Sequence, residues 1–241
     1  MNTLAGLRLL PGDSLFLDFD GTLAEIGPDP DAIFLDAATA AALDRLAARL
    51  GGALALVSGR DLRDLAARTP DTLWRAGGHG LELLAPRSRP APAPPPPPRP
   101  ILDRLAAATR LPGVRLELKG PVAALHYRAA PAAETEVLAA AAAAASSVPG
   151  FVHQAGKMVI EVKPAAAHKG RALRRIAAAP PFAGRRPVML GDDTTDEDAI
   201  IAAQELGGIG VRIGDGPSTA RLRAPDPPAV RAWLAREAAA N

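Results

Sequence analysis

Cysteine is absent from the 241-residue chain. That excludes disulfides, thiolate metal sites and cysteine nucleophiles. Aromatic residues make up only 3%, too few for a base-stacking nucleic-acid surface. The net charge of +2 is small for this length, and there is no long basic run to hold a phosphate backbone. Long apolar runs are missing too. The longest, Val137–Ala145, is far short of a bilayer, and Met1–Gly12 lacks the apolar core of a secretory signal. These absences set the expectation of a cytoplasmic protein with no nucleic-acid, membrane or obligate protein partner. Lysine is scarce: of 28 basic residues, only Lys119, Lys157, Lys163 and Lys169 are lysine. A position that stays lysine in so arginine-rich a chain is one where a compact ammonium counts.

What is present is a split pattern. Hydrophobic residues are 48% and charged residues 22%, an ordinary globular balance. Short apolar strands at Ser14–Phe19, Ala53–Val57 and Leu73–Ala76 alternate with helical periodicity at Ala37–Leu50 and Asp61–Arg68. Such alternation predicts a doubly wound parallel sheet covered on both faces. The proline-packed stretch Pro86–Pro100 interrupts it and reads as a stiff polyproline II connector. A helix at Ile101–Arg110 follows. Three alternating strands come next, Arg115–Lys119, Val122–Arg128 and Lys157–Lys163, with a helix at Pro131–Ala145. They predict a sheet with one apolar and one charged face. The first pattern resumes with helix His168–Ala178, strand Pro187–Leu190, helix Thr195–Leu206, strand Ile209–Ile213 and helix Ala229–Ala239. The expected fold is therefore α/β: a core formed by 1–98 and 165–241, carrying an inserted smaller α+β domain at 99–164.

The acids carry the chemistry. Asp18 and Asp20 lie where one apolar strand runs out, before Gly21 and Thr22. Asp192 and Asp193 lie just past another, after Gly191. Functional groups in open parallel sheets gather at the carboxyl ends of strands. Two unit charges about 4 Å apart repel by roughly 4 kcal/mol at an effective dielectric of 20, so neighbouring strands would create a conflict that a divalent cation relieves. All-oxygen ligands favour Mg²⁺ or Mn²⁺. A lone Asp-x-Asp is more often a turn or a cap, and it also serves nucleotide-sugar glycosyltransferases. The full set is more specific: Asp18-Phe19-Asp20-Gly21-Thr22, then Ser58-Gly59-Arg60, then Lys169, then Gly191-Asp192-Asp193. Acid, hydroxyl, ammonium and metal together compose a phosphoryl-transfer site. Ser58 can donate to a phosphate oxygen, and Lys169 can screen both an acid and a phosphoryl oxygen.

This set resembles the four motifs of the haloacid dehalogenase superfamily of phosphatases, in order. The stretches FLDFDGTLAEI, ALVSGR, AGGHGLE, ELKG, ALHYRAAP, GKMVIEVKP, HKG and GDDTTDED further resemble those of trehalose-6-phosphate phosphatases, from Phe16 to Asp198. Two departures stand out: the proline run, and His168 where a small residue is expected before Lys169. The resemblance implies a Rossmann-like core with a cap domain. It implies Mg²⁺-dependent hydrolysis of trehalose 6-phosphate through an aspartyl-phosphate. In that scheme Asp18 is the nucleophile, Asp20 the acid and base, and Lys169 a catalytic cation. Mg²⁺ would be held by Asp18, the Asp20 carbonyl and Asp192, with Asp193 completing or supporting the shell. Thr22, Ser58, Gly59 and Arg60 would bind the phosphate. Sugar contacts would come from Lys119, Lys157 and Glu161, with His79 and Gly80 at the core rim and His126 and Arg128 as further candidates. Asp196 and Glu197 suit the first turn of a helix, and Asp196 also suits a hydrogen bond into the metal shell. The rivals are another sugar-phosphate phosphatase (sucrose phosphate, for example), a phosphosugar mutase, direct attack by a metal-activated water, and a catalytically silent sugar-phosphate sensor.

Overall fold

A computed structural model describes residues 3–27, 29–156 and 158–240. Along the chain the regular elements are β1 (Asp13–Leu17), α1 (Ala37–Arg49), β2 (Leu54–Val57), α2 (Leu62–Arg68), β3 (Trp74–Gly77) and β4 (Glu82–Leu84). They continue as α3 (Arg99–Ala108), β5 (Arg115–Lys119), β6 (Val122–His126), α4 (Glu134–Ser146), β7 (Phe151–Gly156) and β8 (Val159–Pro164). The last are α5 (Lys169–Ala177), β9 (Arg186–Gly191), α6 (Thr194–Glu205), β10 (Ile209–Ile213), β11 (Leu222–Ala224) and α7 (Pro227–Ala239).

Two compact units result, Met1–Pro90 with His168–Asn241, and Ala91–Ala167. The first holds a seven-stranded sheet in the order β11-β10-β9-β1-β2-β3-β4. Its pairings are parallel except β3 with β4. Every residue of β1 and β2 is buried, which is why Leu15–Leu17 and Leu54–Val57 read as unbroken apolar runs and not as alternation. Leu43, Leu46 and Ala47 form the buried stripe of α1. The Asp36 carboxylate caps that helix by accepting the Thr39 N–H, satisfying one of the donors that a helix start leaves open. The chain leaves β1 toward β2 on one side, while β9 leads to β10 on the other. The β1–β9 junction is thus the topological switch point, where open α/β sheets bind ligands outside their strand ends.

The second unit is a four-stranded antiparallel sheet, β5-β6-β8-β7. Ala123, Leu125, Ile160 and Val162 turn to one side, where Ile101 and Leu105 of α3 and Val137 and Ala141 of α4 join them in a separate core. The register sets Glu117 opposite Ala124, and Ala124 opposite Glu161. Glu117 and Glu161 therefore share the other face, as strict alternation requires. The proline run forms no regular element until α3 begins at Arg99, and Pro94 lies against Gly120. Three strands carry no clear pattern in the sequence: β4, β7 and β11. Each lies at the edge of its sheet, where a strand is exposed along one side and needs fewer apolar residues. No helix among the described residues is long and apolar enough to cross a membrane.

Candidate active site

β1 ends at Leu17 and the chain turns sharply after it. The Asp18 N–H donates to the Leu190 carbonyl of β9, which carries the strand pairing to the edge of the site. Gly21 then adopts φ +79°, and a Cβ there would lie 2.2 Å from Asp192 Oδ2. Only glycine meets both demands, the left-handed backbone and the close approach of the second acidic loop. In this way the loop after β1 is seated against the loop after β9.

Asp18, Asp192 and Asp196 bring carboxylate oxygens within 4.8 Å of one another. Lys169 opens α5 and donates to Asp18 Oδ1 and Asp196 Oδ1, both at 2.7 Å. Gly170 makes this possible: a Cβ there would sit 2.4 Å from the Asp198 carbonyl oxygen, so its absence lets α5 press against α6. Asp196 is fully buried. Its Oδ2 accepts the N–H groups of Asp192 and Asp193 at 3.1 and 3.0 Å, which fixes the loop after β9. Asp193 is the N-cap residue of α6 and forms a capping box with Asp196.

One ammonium faces three carboxylates, and the electrostatics follow. Burial, then the charges of Asp196 and Asp192, push the Asp18 carboxyl well above its ordinary value against the pull of Lys169. Burial and Asp196 push Asp192 up to about 7. The Lys169 ammonium is held above its ordinary value: burial opposes the charge, but Asp18 and Asp196 outweigh it. Asp192 Oδ1 is buried with no hydrogen-bond partner among the described residues, as is Thr22 Oγ1. Excess negative charge, hard oxygen donors and an orphaned carboxylate oxygen fit a divalent cation.

The remaining expected residues fall as follows. Asp20 turns both carboxylate oxygens to the Arg60 fork, Oδ2 to Nε at 2.7 Å and Oδ1 to Nη2 at 2.6 Å. Arg60 also donates to Asp64 Oδ2 at 2.7 Å, so its guanidinium engages two carboxylates. Ser58 is buried at the end of β2, and its Oγ accepts the Arg60 N–H at 3.1 Å. Gly59 lies under the His79 ring, where a Cβ would sit 2.8 Å from Cε1. His79 has φ 56°, and its N–H donates to the Ser58 carbonyl. The Gly80 carbonyl accepts from Arg175 at 2.8 Å. These contacts tie the rim after β3 to the loop after β2 and to α5.

On the second unit, Glu117 accepts from or pairs with His126 Nε2 at 2.7 Å, and Lys119 Nζ lies 3.7 Å from the same carboxylate. The hydrogen bond from His126, with the Lys119 charge, holds Glu117 down at about 2 against the effect of burial. Glu161 pairs with Lys163 at 3.9 Å. Arg128 is exposed beyond the end of β6. Lys157 lies outside the described residues.

Of the four acids expected around the cation, then, Asp18 and Asp192 meet. Asp196 joins them, Asp193 caps α6 and the Asp20 side chain faces Arg60. The Asp196 position was signalled by its place four residues after Asp192, one helical turn on. The partnership of Arg60 with Asp64 was signalled by another four-residue step.

A model of the trehalose-phosphatase family matches residues 16–227. A probable trehalose-phosphate phosphatase of Sinorhizobium fredii is 41% identical over 206 residues, covering 83% of this chain and 77% of that protein. The trehalose-6-phosphate phosphatase of Escherichia coli is 39% identical over 223 residues, covering 91% and 84%. Among solved structures, the C-terminal domain of Candida albicans trehalose-6-phosphate phosphatase superposes with a TM-score of 0.81 at 24% identity, covering 94% of this chain and 92% of that one. The α/β sheet with its separate antiparallel sheet is therefore the fold of that phosphatase. With a matching sequence model, relatives near 40% identity and the acidic loops in place, the chain belongs to the trehalose-phosphatase family.

Proposed function

We propose that the chain hydrolyses trehalose 6-phosphate to trehalose and phosphate through a phosphorylated Asp18. The observation that carries this reading is the largely buried cluster of Asp18, Asp192 and Asp196 around Lys169 at the β1–β9 switch point. Asp18 and Asp192 would hold Mg²⁺, with Asp196 beside them and the Asp20 carbonyl and Asp193 as further supports. When bound, the cation neutralises the carboxylates and the phosphoryl oxygens.

A carboxylate oxygen of Asp18 attacks phosphorus as the bond from phosphorus to the sugar oxygen breaks. Asp20 gives that oxygen its proton, then takes one from the water that cleaves the aspartyl-phosphate, restoring Asp18 and releasing phosphate. Lys169 keeps Asp18 oriented and offsets charge in the transition state. Thr22 Oγ1 and Ser58 Oγ are hydroxyl donors suited to the phosphoryl oxygens. His79 and Gly80 on the first unit serve the sugar. So does the charged face of the second sheet, with Lys119, Lys157, Glu161, His126 and Arg128. The reaction needs a sugar phosphate and a cation but no nucleic acid, membrane or protein partner, and it fits the cytoplasm.

The test is phosphate release from a panel of trehalose 6-phosphate, sucrose 6-phosphate, glucose 6-phosphate and an aryl phosphate, with Mg²⁺ and with EDTA. Turnover of trehalose 6-phosphate well above the others, abolished by EDTA and restored by Mg²⁺, is expected. Preference for another sugar phosphate, or metal-independent turnover, overturns it.

A further inference from the structure

Asp20 is at one end of a line of alternating charges. Arg60 donates Nε and Nη2 to its two oxygens and Nη1 to Asp64 Oδ2. The other oxygen of Asp64 accepts Arg68 Nε at 2.7 Å. Arg68 goes on to donate to the Asp31 and Ile33 carbonyls at 2.9 and 2.7 Å, and its guanidinium lies 4.6 Å over the Phe34 ring. The spacing builds this line. Arg60, Asp64 and Arg68 are four residues apart along α2 and its entry, so they share one helix face. The two arginine side chains are nearly buried, at 8% and 7% exposure.

Three features separate this line from an ordinary surface pair. The arginines are buried, the Asp20 contact is bidentate, and the far end is anchored on backbone carbonyls. A guanidinium is planar. With Nε and Nη2 on one carboxylate and Nη1 on another, Arg60 is held against rotation about its last bonds. Arg60 also stacks 5.2 Å from the Phe19 ring, on the residue between Asp18 and Asp20. Without Asp64, the Arg60 fork keeps Asp20 but loses one of the contacts that hold its plane.

We propose that Asp64 is a positioning residue for Asp20, acting through Arg60: it fixes the guanidinium plane that aims the proton-donating carboxylate. This rests on the reading of Asp20 as acid and base. An acid misplaced by about 1 Å costs roughly 100-fold in rate. The loss falls on substrates whose leaving oxygen needs a proton, because a good leaving group departs without one.

The test is kcat/KM for the Mg²⁺-loaded enzyme on substituted phenyl phosphates graded in phenol pKa, with trehalose 6-phosphate alongside. The variants are Asp64→Asn, Asp64→Glu and Asp20→Asn. Asp64→Asn is expected to steepen the dependence on leaving-group pKa. It should lose about ten-fold on trehalose 6-phosphate and less than about two-fold on 4-nitrophenyl phosphate. Asp64→Glu, which keeps the charge, should recover most of the loss. A partly unfolded sample lowers every rate by one factor and leaves the slope alone, so poor folding cannot imitate the result. An unchanged slope in Asp64→Asn while Asp20→Asn steepens it overturns the role of Asp64. An unchanged slope in Asp20→Asn overturns instead the reading of Asp20 as the proton donor.

Discussion

Two charged regions of the molecule solve opposite problems. At the β1–β9 switch point three carboxylates share one ammonium, and Asp192 Oδ1 is left buried without a partner among the described residues. On the second sheet one carboxylate, Glu117, has three basic neighbours: His126, Lys119 and Arg115. The first region raises carboxyl pKa values and the second lowers one. A buried polar group without its partner costs several kcal/mol, so the first arrangement persists where a ligand completes it. A balanced, partly exposed face needs no such completion, and its charges are available to hydroxyls that exchange with water. The contrast is between carboxylates in excess over their counter-charge and a carboxylate surrounded by basic groups.

The comparison breaks most completely at Asp18. Asp18→Asn should lower turnover by roughly 10⁴-fold or more with the fold retained. Stopped assays with the purified variant, plus its thermal melt, check this, and substantial remaining activity would favour attack by water. Gly21→Ala comes next. It forces an alanine into φ +79° and a Cβ against Asp192, so a loss of about 100-fold in kcat with weaker Mg²⁺ activation is expected. A normal Mg²⁺ titration would show that the two loops need not approach so closely.

The second sheet should respond selectively. Lys119→Ala or Glu161→Ala should cost about 10- to 100-fold on trehalose 6-phosphate, the worth of a charged hydrogen bond, and far less on a small aryl phosphate. Equal losses on both substrates would remove that face from sugar recognition. The smallest effect is on stability. Glu117 is held at about 2 against an ordinary 4.5. A depressed carboxylate contributes stability that is present above about 4.5 and lost as pH falls toward 2. With solvent screening the contribution is about 1 kcal/mol. Glu117→Gln should therefore narrow the stability difference from the parent as pH drops through that window, measured by urea unfolding. A difference constant with pH would deny the ion pair any role.

Much of the architecture is legible in the chain because it depends on neighbours in sequence. β1, β2 and β9 announce themselves as apolar runs, since strands buried on both faces tolerate little else. Their acids stand at the exits, so Asp18, Asp20 and Asp192 could be picked from position and residue type, and Lys169 from its place at a helix start. The charged face of the second sheet was readable from the alternation in β5 and β8. Three of the four edge strands, β4, β7 and β11, were not. β7, with His153, Gln154 and Gly156, carries no apolar period, and only pairing with β8 makes it a strand.

The amino-acid order by itself thus determined the strand-and-helix succession, the acids at strand ends and the family the chain belongs to. Tertiary structure alone decided which carboxylates converge and which are held apart. Lys169 reaches Asp18 across 151 residues and Arg60 reaches Asp20 across 40. Such meetings depend on sheet order and on how closely two loops or helices can approach. A local pattern records a residue's own face and period, whereas the partner it finds across the sheet is set by the packing of the whole core.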